Sequence, residues 1–306
     1  MLIGDALQAN IRTWLSPPDP WKNHNIACGT YHKRTATWFI QGDACTEWKL
    51  SGSLLWIRGN RASSIAPFRF YIDPDGSNLV AGAGKTILWY VMPSILPMKV
   101  TQYSRQSSTV IEDIAGLRKA GLASLAFFYC DFRDDKKKDH RGLLSSLIVQ
   151  LSQSDSYYEL LSIFYSQHGC GSQDPSDDAL MRCLTDMLKR PGQAPIYIIV
   201  DAIDECPNST GAPSPRERVL MLVEELVGLR LPNLHICVTS RPEADIENVL
   251  NPLISNSISL HDEEKQIQDI LDYVTSIINT DPKMRRWRAE DKELVIGTLS
   301  QKAGGM

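Results

Sequence analysis

The sequence predicts an α/β fold in which helices cover both faces of a mostly parallel sheet of about five strands. Short apolar runs alternate along the chain with segments of helical periodicity, the pattern of a doubly wound sheet. The runs at residues 122–129 and 195–200 are apolar almost throughout, which is typical of strands buried on both faces. Three of the runs also end in glycine, acidic residues or arginine, and ligands bind at such strand ends.

The composition is that of an ordinary globular protein, with 306 residues, 43% hydrophobic and 22% charged. The net charge of −4 gives no reason to expect a nucleic-acid partner or a membrane surface. No apolar run reaches the length of a membrane span, and the N-terminus lacks the shape of a signal peptide. We therefore expect a cytoplasmic protein.

Cysteine and histidine give no sign of a metal site or a disulfide framework at the level of sequence. The six histidines show no ligand spacing, and none of the seven cysteines belongs to a C-x-x-C pair. Several cysteines lie in apolar runs, where Cys acts as a small hydrophobic residue. A reduced, intracellular protein is expected.

The predicted elements divide the chain into three parts. Residues 1–52 form a helical and linker segment, residues 53–262 the α/β core, and residues 263–306 the C-terminal helices. Because nothing closes the fold before Met306, we expect a truncated chain. Strands are predicted over residues 53–58, 122–129, 195–200, 234–238 and 257–260. Helices are predicted over residues 2–15, 35–50, 143–151, 177–188, 215–229, 262–278 and 290–299, whereas residues 21–34 are expected to be turn-like.

Residues 81–86, AGAGKT, match the second half of a phosphate-binding loop. Glycines let backbone N–H groups curl around an anion, Lys85 would reach the β- and γ-phosphates, and the Thr86 hydroxyl would ligate Mg²⁺. The full pattern needs a glycine five residues before Gly84, and Leu79 stands there. The stretch is therefore either an interrupted loop or a chance glycine-rich turn.

The missing half of the loop can be found upstream. Joining Gly59 and Asn60 directly to Ala81 gives GNAGAGKT at the end of a predicted strand, so residues 61–80 would be an insertion. If these residues are a genuine part of the protein, they disrupt the loop and put nucleotide binding in doubt. The completed loop would consist of Gly59, Asn60, Ala81, Gly82, Ala83, Gly84, Lys85 and Thr86.

Residues 90–107 are a second candidate insertion. Pro93 and Pro97 fall where a helix interior is expected, at a cost of about 3 kcal/mol each. Removing the segment brings four apolar residues onto one helical face: Leu88, Val110, Ile114 and Leu117. Our hypothesis is that both segments are retained introns or gene-model errors.

The ends of two later strands carry charged residues suited to phosphate chemistry. Asp201 follows an apolar strand and would supply a carboxylate to Mg²⁺. Asp204 or Glu205 could activate a water as general base, and Arg241 could sense or neutralise a γ-phosphate. The alternative for each motif is a solvated turn. The motifs are more specific together than singly.

These motifs together resemble the fungal NACHT-domain proteins of the STAND class of P-loop NTPases, whose leading segment is described as nephrocystin-like. The resemblance rests on WLSPPDPWKNHNIACGTYHKRTATWF, LLWIRGN…AGAGKT, AFFYCDFRDDKKKDHRGLLSSLIVQL, IYIIVDAIDEC and HICVTSRPE. It implies a three-layer P-loop NTPase fold. It also implies nucleotide contacts from Gly82, Gly84, Lys85 and Thr86, an Mg²⁺ carboxylate at Asp201, a further acidic pair at Asp204 and Glu205, and a sensor at Arg241.

The resemblance and the residues leave three functions open. The first is a signalling switch that binds ATP or GTP with Mg²⁺ and hydrolyses it slowly, with self-association or other signalling proteins engaged through helical, winged-helix and repeat regions beyond Met306. The second is a scaffold that binds no nucleotide because the loop is split. The third is a metabolic P-loop kinase, against which the sequence shows no pocket for an acceptor substrate.

Overall fold

A computed structural model of the chain describes residues 2–29, 40–59, 97–153, 157–209 and 213–259, and a few residues between 275 and 297. None of the helices in this part of the chain is long and apolar enough to cross a membrane. The helices are α1 (Leu2–Leu15), α2 (Trp21–Gly29), α3 (Asp43–Ser51), α4 (Pro97–Lys119), α5 (His140–Leu151), α6 (Tyr158–Gln167), α7 (Asp177–Leu188), α8 (Pro215–Gly228) and α9 (Ala244–Leu250). The strands are β1 (Ser53–Arg58), β2 (Ser124–Tyr129), β3 (Ile196–Asp201), β4 (Leu234–Ser240) and β5 (Asn256–Ser259).

The five strands form one sheet, and all of them run parallel in the order β2-β3-β4-β1-β5. Val200 on β3 pairs with Val238 on β4, and Ser240 at the end of β4 pairs with Arg58 at the end of β1. Because aligned parallel strands end together, the carboxyl ends of β3, β4 and β1 lie side by side. The predicted α/β class is confirmed.

Side chains of the strands alternate between two buried clusters, one on each face of the sheet. On one face Trp56, Phe128 and Val238 pack against α1 and α5 to α9. On the other face Leu55 and Ile199 pack against α3 and α4. Helices therefore cover both faces in a three-layer arrangement, which explains why the strand sequences are apolar throughout rather than alternating.

Several elements agree closely with the sequence, and two predictions are wrong in whole or in part. Leu2–Leu15, Ser53–Arg58 and Asp177–Leu188 have the predicted bounds. The helix predicted over residues 35–50 is broken, in its described part, by a turn that includes Gly42, and α3 begins only after it, at Asp43. The turn-like interpretation of residues 21–34 fails because Trp21–Gly29 is helical. Its buried face carries a histidine rather than an apolar stripe, so hydrophobic periodicity could not reveal it. Most of the helices predicted over residues 262–278 and 290–299 lie outside the described residues.

Helix α4 begins inside the second candidate insertion. Its first residue is Pro97, a position where the missing N–H of proline costs nothing. The face predicted from Val110, Ile114 and Leu117 is the face that packs on the sheet, with the first two fully buried. Residues 97–107 thus already belong to this helix. Residues 61–80 and 90–96 lie outside the described residues.

A side chain from α5 forms hydrogen bonds to the open edge of β2, the first strand in the sheet order. The backbone N–H of Phe127 donates to Oε1 of Gln150 over 3.1 Å, and Nε2 of Gln150 donates to the carbonyl of Phe127 over 2.7 Å. The amide therefore replaces a neighbouring strand at this residue. Since Gln150 is buried, its loss would leave two backbone groups without partners and shielded from water.

We predict that Gln150→Leu lowers the free energy of unfolding by about 2–3 kcal/mol, because an unsatisfied buried polar group costs about 1–3 kcal/mol. Urea unfolding followed by circular dichroism measures the change. The matched control is Gln167→Leu at the exposed end of α6, where no such cost arises. Equal stability of the two variants would contradict the proposed closing role of Gln150.

Candidate functional site

The carboxylate of Asp201 is held at the end of β3 by the neighbouring strand. Asp201 is buried, and its Oδ1 accepts a hydrogen bond of 2.6 Å from the hydroxyl of Thr239 on β4. The same hydroxyl oxygen accepts a hydrogen bond of 2.8 Å from the backbone N–H of Ala202. Thr239 thus fixes both the carboxylate and the start of the turn that follows it.

The chain turns sharply after Asp201 through an unusual backbone conformation. Ala202 has a φ of 58°, in the left-handed region, which costs roughly 1–2 kcal/mol for a residue with a Cβ. A single 3₁₀ turn, Ile203–Glu205, follows. Ile203 is fully buried in the core and anchors the turn, so that two further acidic side chains follow the strand end directly.

Arg216, in the first turn of α8, clamps this turn to the chain that follows β4. Its guanidinium donates to the carbonyl of Asp204 over 2.7 Å and to the carbonyl of Cys206 over 3.0 Å. It also forms ion pairs with Glu243 at 2.5 Å and Asp245 at 3.1 Å. A buried arginine that satisfies four acceptors fixes the acidic turn relative to the end of β4.

Arg241 and Asp204 contact each other across the ends of β4 and β3. The backbone N–H of Arg241 donates to Oδ1 of Asp204 over 3.2 Å, and its Nε lies 3.3 Å from Oδ2. Burial raises the pKa of Asp204, and the Arg241 N–H partly opposes that effect. Half of the Arg241 side chain remains exposed, so Asp204 positions an arginine that faces solvent at the strand ends.

The carboxyl group of Glu205 has a pKa well above its ordinary value. Burial raises its pKa to about 7, and Asp131, Asp201 and Asp204 add to the effect through their negative charge. The guanidinium of Arg133 works in the opposite direction. A carboxyl group with a pKa near neutrality can exchange a proton at physiological pH, which is what a general base requires.

Asp131 and Arg133 extend the site onto the loop after β2. Arg133 binds both carboxylate oxygens of Asp131, with its Nε 2.8 Å from Oδ1 and an Nη 2.9 Å from Oδ2. This pairing lowers the pKa of Asp131 and keeps it ionised. Asn23 on α2 also donates to Asp131 over 3.3 Å and accepts from Lys137. The charged loop that begins at Asp131 therefore lies beside the acidic cluster.

The remaining predicted site residues fall into two groups. Gly59 directly follows β1, and its N–H donates to the carbonyl of Ser240 over 3.1 Å, which confirms that this strand end adjoins that of β4. The other predicted loop residues lie outside the described part of the chain: Asn60, Gly82, Ala83, Gly84, Lys85 and Thr86. The roles of all these residues stay predictions.

The acidic cluster by itself does not form a closed metal cage. Within the described ranges, Asp201, Asp204 and Glu205 do not bring three ligand atoms within 4.8 Å of one another. Their carboxylate oxygens are nevertheless the ligand type that Mg²⁺ prefers, and Mg²⁺ commonly binds through one or two carboxylates together with phosphate oxygens. The donor set therefore suits a magnesium ion that arrives with a nucleotide.

Three contributors to the site were missed by sequence reasoning. Thr239 and Asp131 are given no role by the sequence motifs, and Arg216 falls simply within the helix predicted over residues 215–229. A threonine immediately before Ser-Arg could have been recognised as a partner for the acidic end of a paired strand. Nothing local distinguishes Arg216, because its partners come from two separate segments, the turn at residues 204–206 and the chain after β4.

Comparison with known families gives one match. A family model described as Nephrocystin 3, N-terminal, matches residues 103–241. The matched region runs from within α4 to Arg241, just after β4, and includes Asp201, Asp204 and Glu205. It begins after β1 and AGAGKT and so includes neither. It covers less than half of the chain. No curated protein matches the chain.

We predict that Glu205→Gln stabilises the protein at pH 8 and has little effect at pH 4.5. The folded-state pKa of about 7 lies above the ordinary value of 4.5, so the stability contributed by the protonated group is complete below about pH 4.5 and is lost as the pH rises through 7. A neutral amide escapes this loss, which is worth about 2 kcal/mol after solvent screening.

Urea unfolding at both pH values measures this difference. Glu224→Gln is the control, because Glu224 is exposed on α8 and lies outside the acidic cluster. A stability difference between Glu205→Gln and the natural chain that is the same at pH 4.5 and pH 8 would contradict the raised pKa.

Proposed function

We propose that this chain is the nucleotide-binding core of a signalling switch of the NACHT type within the STAND class, and that it binds ATP or GTP with Mg²⁺. The observation that carries the proposal is the adjacency of three strand ends. Asp201 ends β3, Arg241 follows β4, and Gly59 follows β1, in three consecutive strands of one parallel sheet.

This order suits a nucleotide bound across the carboxyl edge of the sheet. Gly59 and the AGAGKT stretch would hold the phosphates through backbone N–H groups, and Lys85 would add a positive charge. Asp201 and the hydroxyl of Thr86 would hold Mg²⁺, which when bound neutralises charge on the β- and γ-phosphates. The nephrocystin-type match supports the proposal over the strands that carry Asp201 and Arg241.

The chemistry of the acidic turn suits hydrolysis of a bound nucleotide. Asp204 is engaged by Arg241, so we assign it the task of positioning that arginine. Glu205 is the better candidate for general base, because its raised pKa suits proton uptake from water at neutral pH. Arg241 would sense the γ-phosphate. The presence or absence of that phosphate would then bias the protein toward one of two states, closed or open.

The proposed signalling role rests mainly on the resemblance of the motifs to those of NACHT-domain proteins. The cytoplasmic location, the self-association and the contacts with other signalling proteins follow from the NACHT-like motifs. The competing function is a scaffold without nucleotide binding, which the Leu79 position and the residues between Gly59 and Ala81 favour. Binding measurements separate the two directly.

We predict that the chain binds ATP or GTP in the presence of Mg²⁺ and that Asp201→Asn weakens this binding about tenfold or more, in line with the loss seen when groups around a metal are removed. Binding measured without Mg²⁺ changes little, because the variant removes a metal ligand and not a phosphate contact. Isothermal calorimetry with both nucleotides gives the affinities.

Four variants complete this test. Asp174→Asn, at an exposed loop position, should bind like the natural chain. Lys85→Ala should lose roughly tenfold to a hundredfold in affinity, as expected for a hydrogen bond to a charged group, whereas Lys189→Ala should lose none. Glu205→Gln should spare binding and slow hydrolysis. Failure of the natural chain to bind either nucleotide favours the scaffold.

Deleting residues 61–80 gives a further prediction about the loop. The deletion joins Asn60 to Ala81, restores GNAGAGKT, and should raise the affinity for Mg²⁺-nucleotide well above that of the natural chain. Residues 97–107 should be kept, because they form the first part of α4. Equal affinities of the two chains by calorimetry would show that the interruption is not a defect of the loop.

A further inference from the structure

A second cluster of polar groups lies away from the acidic turn, between α2 and α4. Nε2 of His24 is 2.9 Å from Oε1 of Glu112 and 3.4 Å from Sγ of Cys28. All three ligand atoms lie within 4.8 Å of one another. Among the residues that the structure describes, this is the group of three potential metal ligands that lie this close together.

We propose that His24, Cys28 and Glu112 form a binding site for Zn²⁺ that links α2 to α4. The ligand types suit this ion, since Zn²⁺ binds cysteine sulfur, histidine nitrogen and carboxylate oxygen. Three protein ligands leave one position of a tetrahedral ion for water. Thiolate and carboxylate together supply two negative charges, which balance those of the dication.

The distances within the cluster are close to those of an occupied site. Zinc–ligand bonds of about 2.0–2.3 Å give a tetrahedron whose edges are roughly 3.3–3.6 Å long. The observed separations of 3.4 Å from sulfur to nitrogen and 2.9 Å from nitrogen to oxygen therefore need only a small expansion. The two ligands on α2 are four residues apart, so they lie on one face of that helix.

The surroundings of His24 resemble the outer shell of a metal ligand. Its Nδ1 lies 3.0 Å from the hydroxyl of Tyr129, which in turn lies 2.9 Å from the hydroxyl of Ser108. In the tautomer that carries its proton on Nδ1, the imidazole donates a hydrogen bond to the Tyr129 hydroxyl. Nε2 then has a free lone pair on the side of Glu112 and Cys28. A hydrogen bond on the far side of a ligating imidazole fixes its tautomer and orientation in this way.

The site also has a dry wall and an entry path. His24 is 2% exposed, and the rings of Trp21 and Phe127 lie 5.5 and 5.3 Å from its own ring. The Glu112 side chain, by contrast, is 60% exposed, so an ion can reach the cluster from solvent. The sequence gives no sign of this site because residues 21–34 are expected to be turn-like, and a four-residue spacing places two side chains on one face only in a helix.

The test is a titration of the purified, metal-free, reduced chain with Zn²⁺ and with Co²⁺ as a spectroscopic substitute. We expect one tight site per chain, a thiolate-to-cobalt charge-transfer absorption, its loss on addition of Zn²⁺, and a higher melting temperature with Zn²⁺. Cys28→Ser should abolish the absorption and the thermal shift. Cys170→Ser, which changes an exposed thiol, should retain both.

Two more variants keep the test decisive if Cys28→Ser folds poorly. Glu112→Gln changes an exposed side chain and should weaken Co²⁺ binding about tenfold or more, while Tyr129→Phe should weaken it about tenfold by removing the partner of Nδ1. The proposal is overturned if the natural chain shows no saturable binding, if the charge-transfer absorption survives in Cys28→Ser, or if Glu112→Gln binds Co²⁺ as tightly as the natural chain.

Discussion

The parallel pairing of β3 with β4 and of β4 with β1 is the constraint on which the candidate site depends. In-register pairing brings Asp201, Arg241 and Gly59 to one edge, although they are far apart in sequence. The hydroxyl of Thr239 then links β4 to Asp201 and to the turn that follows. A slip of one residue would turn each strand's side chains to the opposite face and separate the acidic turn from its partners.

The sheet could be predicted from sequence because its physical signal is local. A strand buried on both faces is apolar at most positions, and runs such as residues 195–200 satisfy that condition without further information. The strand ends could also be predicted, since the apolar runs pass into glycine or charged residues there. Ser214, just before the helix predicted from residue 215, forms a complete capping box with Glu217, and that pattern too is readable over four residues.

The rest of the site could not be predicted, because it depends on contacts between distant segments. Arg216 donates to acceptors that lie before and after β4 in the sequence. Asn23 binds Asp131, which is more than a hundred residues later in the chain. Helix α2 escaped prediction for a related reason, since its buried residue is His24, whose burial is made possible by hydrogen bonds rather than by apolar character. Histidine in β4 shows the same principle, because His235 is buried with its Nδ1 against the carbonyl of Trp48.

The amide of Gln150 on the edge of β2 has a consequence for assembly. An open sheet edge is a template onto which a strand from another chain can add, and proteins that associate with copies of themselves must control where that happens. With both backbone groups of Phe127 already occupied, strand addition at this edge would first have to displace a buried side chain. Gln150 therefore protects β2 at Phe127 against strand addition by a second copy of the chain.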